Sequence, residues 1–218
     1  MKKNIKIFTV AVFSITSLIA GETFSQNAMP EKMQMQDKGM KMKGDKMKMK
    51  MEMADLKSWP MASQNAVKEQ MEKYGQPAEM TPTMVVWYNN GFFAKTIITK
   101  MESQHNFPKM HTDLMEQSVM YKVPLDMYDE LAHFDGSITV DRTQGLLAAR
   151  CDKEENNLLA LNLAHDIITG KKTVEEARQS YGEMVSQAMK GNKPEYMKKL
   201  MFTPVKSSAD ADMETLKM

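Results

Sequence analysis

Cysteine occurs once in 218 residues, so no internal disulfide framework can staple this chain. Neither sign of charge is in excess. The 29 basic and 28 acidic side chains leave +1, which argues against a nucleic-acid or membrane-surface partner. Beyond the first segment no apolar run is long enough to span a bilayer. Neither G-x-G-x-x-G nor a Walker pattern occurs, and there is no G-x-S-x-G nucleophile elbow. These absences remove the commonest cofactor and serine-hydrolase classes, although enzymes with dispersed sites remain open. The apolar content of 42% suffices for one respectable core but hardly two. What stands out is methionine: 25 residues, more than a quarter of the apolar side chains.

The chain begins with Lys2, Lys3 and Lys6, followed by an apolar run from Ile7 to Ala20. Thr23 and Ser25 then place small residues three and one positions before Gln26. That layout is a secretory signal peptide over residues 1–25, with cleavage expected after Ser25. The run is short for a membrane anchor, and no Cys near the cut would carry a lipid. The mature protein is expected to be periplasmic or secreted, with no membrane span. Residues 1–25 take +2 with them (three Lys, one Glu), leaving −1, of which residues 26–57 hold +3 and the remainder −4.

Residues 26–57 carry nine Met and eight Lys, with Leu56 the only branched apolar residue. Such a low-complexity segment cannot bury enough surface to offset the entropy of ordering, so disorder is expected. Met-x-Met recurs at Met33/Met35 and Met40/Met42, then runs through Met47, Met49, Met51 and Met53. Thioether sulfur is a soft ligand that selects Cu(I) or Ag(I) over Zn, Mg or Ca, and it needs no deprotonation. On these residues the tail resembles the Met-rich stretches of periplasmic copper- and silver-resistance proteins. That resemblance implies Cu(I) as the bound ion and the eight Met-x-Met residues as its ligands. The tail departs from the pattern by having no His and by interleaving Lys, whose charges repel a cation. A plain linker, an oxidant-scavenging surface or a basic arm for anionic lipid are the bland alternatives.

Residues 58–205 read as one α+β domain, with an antiparallel sheet of about four to five strands packed by about four helices. Ser63 is expected to cap a helix that Gly75 ends. Strands are expected over 84–88 and 92–99, joined at Asn89-Asn90-Gly91, and over 116–123. Pro124 should open a short helix through Phe134. Residues 137–140 and 145–151 look like a second hairpin, although 146–150 could instead begin the next helix. Glu154 to Thr169 and a helix behind the Thr173–Glu176 capping box follow. Residues 206–218 look like a frayed tail. The part resembles exported bacterial domains of unassigned function, which implies no mechanism.

Chemistry concentrates in Met101-x3-His105-Asn106-Phe107-Pro108-Lys109-Met110-His111-Thr112-Asp113. On an extended segment His111 and Asp113 point to one face, which suits a metal or a proton relay, and Met110 and Met115 could add soft sulfur for copper. The spacing matches no established zinc pattern, and a Pro-containing loop with hydrogen-bonding His is the bland alternative. His165 shares a helical stripe with Leu158, Leu161 and Ile168 and reads as a core residue. His133 sits near a helix end, where a cation suits the dipole. Cys151, in small-residue surroundings, reads as buried and inert.

Three functions are therefore carried forward. The first is an exported, non-catalytic protein that binds or sequesters Cu(I) or Ag(I) through the tail, with His105, Met110, His111 and Asp113 as a domain site. The second is an exported ligand- or protein-binding domain with the Met-rich segment only as a tether, an envelope protein being a candidate partner. The third is an exported hydrolase built on His105, His111 and Asp113.

Overall fold

The computed structural model describes residues 56–216, and they form an α+β fold on one antiparallel sheet. Leu56 and Lys57, expected in the tail, form a 3-10 turn with Ser58 in which Leu56 is buried. The signal-peptide reading and the disordered-tail reading up to residue 55 lie outside the described residues. So do all eight expected tail ligands: Met33, Met35, Met40, Met42, Met47, Met49, Met51 and Met53. The strands are β1 (Glu79–Met80), β2 (Met84–Asn90), β3 (Phe93–His105), β4 (His111–Met120), β5 (Ile138–Asp141) and β6 (Leu146–Cys151). Their spatial order is β1-β2-β3-β4-β6-β5, with every pair antiparallel. Six strands exceed the four to five expected, because the two-residue β1 has too little length to register as a pattern. The helices are α1 (Met61–Tyr74), α2 (Tyr128–Phe134), α3 (Glu154–Ile168) and α4 (Val174–Met189).

Cross-strand register explains which side chains are inside. Val85, Ile98, Met115 and Cys151 form one row across four strands, and all are buried. The next row on that face is Trp87, Thr96, Gln117, Ala149 and Ile138, also buried. Side chains alternate along a strand, so Tyr88, Lys95, Glu116 and Arg150 point to the other, more open face. Half-buried alternation of this kind is what an antiparallel sheet covered on one side requires.

Two apolar clusters cover the inner face. Leu56, Trp59 and Val67 pack on Val85, Trp87, Ile98 and Met115, while α2, α3 and α4 pack on Val119, Leu147 and Ala149. Between them runs a buried polar seam. Gln117 Nε2 donates to Glu154 Oε2 at 3.0 Å, as does Gln70 Nε2 from α1, and Asn157 Nδ2 donates to Gln117 Oε1 at 3.1 Å. Lys73 completes an ion pair with Glu154. Buried polar groups must be matched in this way, so the seam ties α1, the sheet and α3 into one arrangement.

Several boundaries differ from those expected. Helix α1 begins at Met61 behind Pro60, and Ser63 is an interior residue whose Oγ donates to Thr99 O at 2.9 Å. Proline has a fixed φ suited to a helix start, which displaces the cap role from Ser63. Strand β4 occupies 111–120 instead of 116–123, because Asp113 is buried and so breaks the apolar pattern used to find it. Residues 146–151 are a strand, and the Thr173–Glu176 capping box is present. The stretch beyond Lys206 is docked as far as Asp212: Ser208 Oγ donates to Gly145 O, Asp210 N to Arg142 O, and the Arg142 side chain pairs with Asp210 and Asp212. Gly145 has φ +70 and lies so close to Ser208 that a Cβ there would overlap its backbone. Among the described residues no helix is long and apolar enough to cross a membrane.

Candidate metal centre

The β3–β4 hairpin and the end of β6 build one cluster of polar side chains. His111 and Asp113 open β4 at alternate positions, so both continue the inner face that carries Met115. His105 closes β3 directly opposite His111. It reaches the same face through a bulge: five steps of β3, Ile98 to Ser103, span only two of β4, Met115 to Asp113. Three extra residues invert the alternation, so Ser103 and His105 point where Thr96 and Ile98 pointed before. Ser63 and Thr99 hold the bulge, with Thr99 Oγ1 donating to Met101 O at 2.7 Å.

One ligand atom from each of His105, His111 and Asp113 falls within 4.8 Å of the others. His105 Nδ1 lies 3.3 Å from Asp113 Oδ2, and His111 Nε2 lies 3.2 Å from Asp113 Oδ1. The second nitrogen of each ring is engaged elsewhere. His111 Nδ1 donates to Lys109 O at 2.8 Å, and His105 Nε2 lies 3.5 Å from Asp135 Oδ1. Asp135 Oδ1 is itself fixed by Ser137, whose N and Oγ both donate to it at 2.8 Å. An imidazole anchored through one nitrogen by a carbonyl or carboxylate, with the other turned to a shared space, is the usual support of a metal ligand.

The electrostatics point the same way. Asp113 is 4% exposed and Asp135 is equally covered, so two carboxylates are buried within reach of the same imidazole. Asp113 Oδ1 and His105 Nδ1 have no hydrogen-bond partner among the described residues. Such atoms are costly to bury unless something compensates them. Asp113, then Cys151, push the His111 imidazolium up to about 11 against the cost of its burial. A metal ion at Nε2 would have to displace that proton, so uptake there should rise with pH.

Cys151 borders this cluster, a position the sequence reading did not give it. It is buried as expected, but its Sγ shares a 3.2 Å contact with His111 Nε2. Burial pushes its thiol up, with His111 acting in the other direction. The only clue in the sequence was the strand pattern over 145–151, and nothing local set the register Met115 to Cys151. Met110 is not gathered in: its side chain is 72% exposed. Phe107 closes the cluster from the hairpin, with its ring 5.1 Å from that of Tyr181 and Arg178 stacked 3.9 Å above it.

The other candidates lie elsewhere. His165 shares a 2.8 Å hydrogen bond with Tyr121 and stacks on Phe202, as a satisfied residue would. His133 stands in the last turn of α2, and its carbonyl accepts from Arg178. The Met-x-Met residues of the tail, Met33, Met35, Met40, Met42, Met47, Met49, Met51 and Met53, lie outside the described residues. No protein-family model matches the chain, and neither a curated protein nor a solved structure is significantly similar to it.

Proposed function

We propose that this is an exported, non-catalytic protein that sequesters transition-metal ions. In this reading the tail methionines, from Met33 and Met35 through Met40 and Met42 to Met53, gather Cu(I) or Ag(I) through their thioethers. The folded domain holds an ion at His105, His111 and Asp113. The observation that supports it best is the convergence of those three side chains around an unpartnered, buried carboxylate oxygen. Imidazole nitrogen serves copper and zinc alike, whereas magnesium and calcium prefer all-oxygen shells.

The hydrolase reading has less support. A base needs its orienting carboxylate on one ring nitrogen and its target on the other. At His111 both Asp113 and Cys151 approach Nε2, and Nδ1 is spent on a backbone carbonyl.

Titration of Cu(I) and Zn(II) against colorimetric chelators tests the proposal. Replacing the eight tail methionines by Leu should abolish most Cu(I) uptake, and His105→Ala with His111→Ala should abolish uptake of Zn(II). Cu(I) uptake indifferent to the Met changes would remove the tail from the mechanism. Zn(II) uptake indifferent to the His changes would remove the domain site.

A further inference from the structure

Three protein donors leave a metal site open to water or substrate, whereas four close it. What occupies the fourth position therefore separates storage from chemistry. The row Met115–Cys151 places the end of β6 beside the start of β4, two residues from Asp113 and four from His111. Cys151 is buried there, and its Sγ is 3.2 Å from His111 Nε2, the nitrogen that Lys109 O leaves free for a ligand.

We propose that Cys151 supplies a thiolate as fourth ligand to the ion held by His105, His111 and Asp113, closing the site around a thiophilic cation, Cu(I) or Zn(II). The inference rests on the metal-binding reading of that cluster. A tetrahedral ion about 2.0 Å from nitrogen and oxygen and about 2.3 Å from sulfur keeps its ligand atoms roughly 3.3–3.6 Å apart. Cys151 Sγ and Asp113 Oδ1 each stand 3.2 Å from His111 Nε2, close to that spacing, and His105 Nδ1 reaches the other carboxylate oxygen, Oδ2, at 3.3 Å. The atoms that lie within 4.8 Å of one another are those of His105, His111 and Asp113, so the sulfur borders this trio and closes on the ion by adjustment of its side chain. A second observation is independent of the sulfur. Asp113 Oδ1, on a residue only 4% exposed, has no hydrogen-bond partner among the described residues although His111 Nε2 is within reach. Sulfur and carboxylate oxygen thus stand at the same 3.2 Å from one ring nitrogen, as ligands of one ion do.

Ligation has a chemical consequence outside the reducing cytoplasm. A single Cys has no intramolecular disulfide partner, and a thiolate bound to a metal and covered by protein is shielded from oxidation. As the ion binds, the thiol proton and the Nε2 proton of the His111 imidazolium both leave to solvent. With two imidazoles, one carboxylate and one thiolate the shell is complete, so the site stores or hands on an ion and does not activate water.

Co(II) tests this directly, because thioethers bind it poorly and the tail stays silent. Added to the tail-intact chain, Co(II) should give the intense visible bands of a tetrahedral ion and a sulfur-to-cobalt charge-transfer band in the near ultraviolet. Cys151 is the only thiol, so that band needs no variant for its assignment. Cys151→Ser should keep bound cobalt and lose the sulfur band. Cobalt bound without a sulfur band in the native chain would overturn the fourth ligand and leave the three-residue site standing. No cobalt uptake at all would overturn the metal reading itself. Erasure of the band by Cu(I) or by Zn(II), each buffered at a fixed free concentration, supports the thiophilic class and tells which ion is preferred. Failure of both to displace cobalt would overturn that class.

Discussion

Glu154 shows how one side chain can join two halves of a fold. Its carboxylate accepts from Gln70 and Gln117 and pairs with Lys73, so it links α1, the sheet and α3. Burial alone would raise its pKa and is the largest single influence, yet the hydrogen bonds from Lys73, Gln117 and Gln70 outweigh it. The carboxyl is therefore held below its ordinary 4.5. A depressed carboxyl contributes stability that is complete above pH 4.5 and is lost as pH falls through the folded value. Urea midpoints measured from neutral to acid pH should drop below that point in the native chain and drop less steeply in Glu154→Gln. Parallel acid limbs would show that the seam carries no pH-dependent stability.

At the scale of elements, the bulge in β3 decides where His105 points. It is a loop of extra chain stitched to α1 by a single buried hydroxyl, Ser63 Oγ to Thr99 O. Ser63→Ala leaves that carbonyl without its side-chain partner, a loss on the order of 1–3 kcal/mol. Chemical denaturation should record that loss. The Co(II) spectrum should weaken with it if the bulge sets the His105 position. A destabilised variant with an unchanged cobalt spectrum would mean that the hairpin holds its own geometry. Helix α4 contributes differently: its capping box fixes the first turn, and Arg178 and Tyr181 then reach the hairpin through Phe107.

At the scale of the molecule, chain beyond the last helix is drawn back across the end of β4 and the β5–β6 turn. Val205 N donates to Met120 O, Ser208 Oγ to Gly145 O, and Arg142 pairs with Asp210 and Asp212. The contact depends on a glycine with positive φ and no room for a Cβ. Gly145→Ala should therefore cost at least about 1 kcal/mol, from the backbone alone. It should also release the segment, so that trypsin cuts after Lys206 faster than in the native chain. An unchanged cleavage rate would show that the strap is held by the Arg142 pairs instead.

The fold class, the Asn-Asn-Gly hairpin, the capping box and the two long helices were legible in the sequence, because these are local patterns of period, turn chemistry and capping. So were His105, His111 and Asp113 as candidates, since histidines are scarce and these three stand within one short segment. The rest came only with folding. Alternation counted from Ile98 would turn His105 outward, and only the bulge brings it inward. Cys151 lies 40 residues from His111, and pairing of β4 with β6 alone closes that distance. Register between distant strands is set by packing of the whole inner face, which no window of sequence contains.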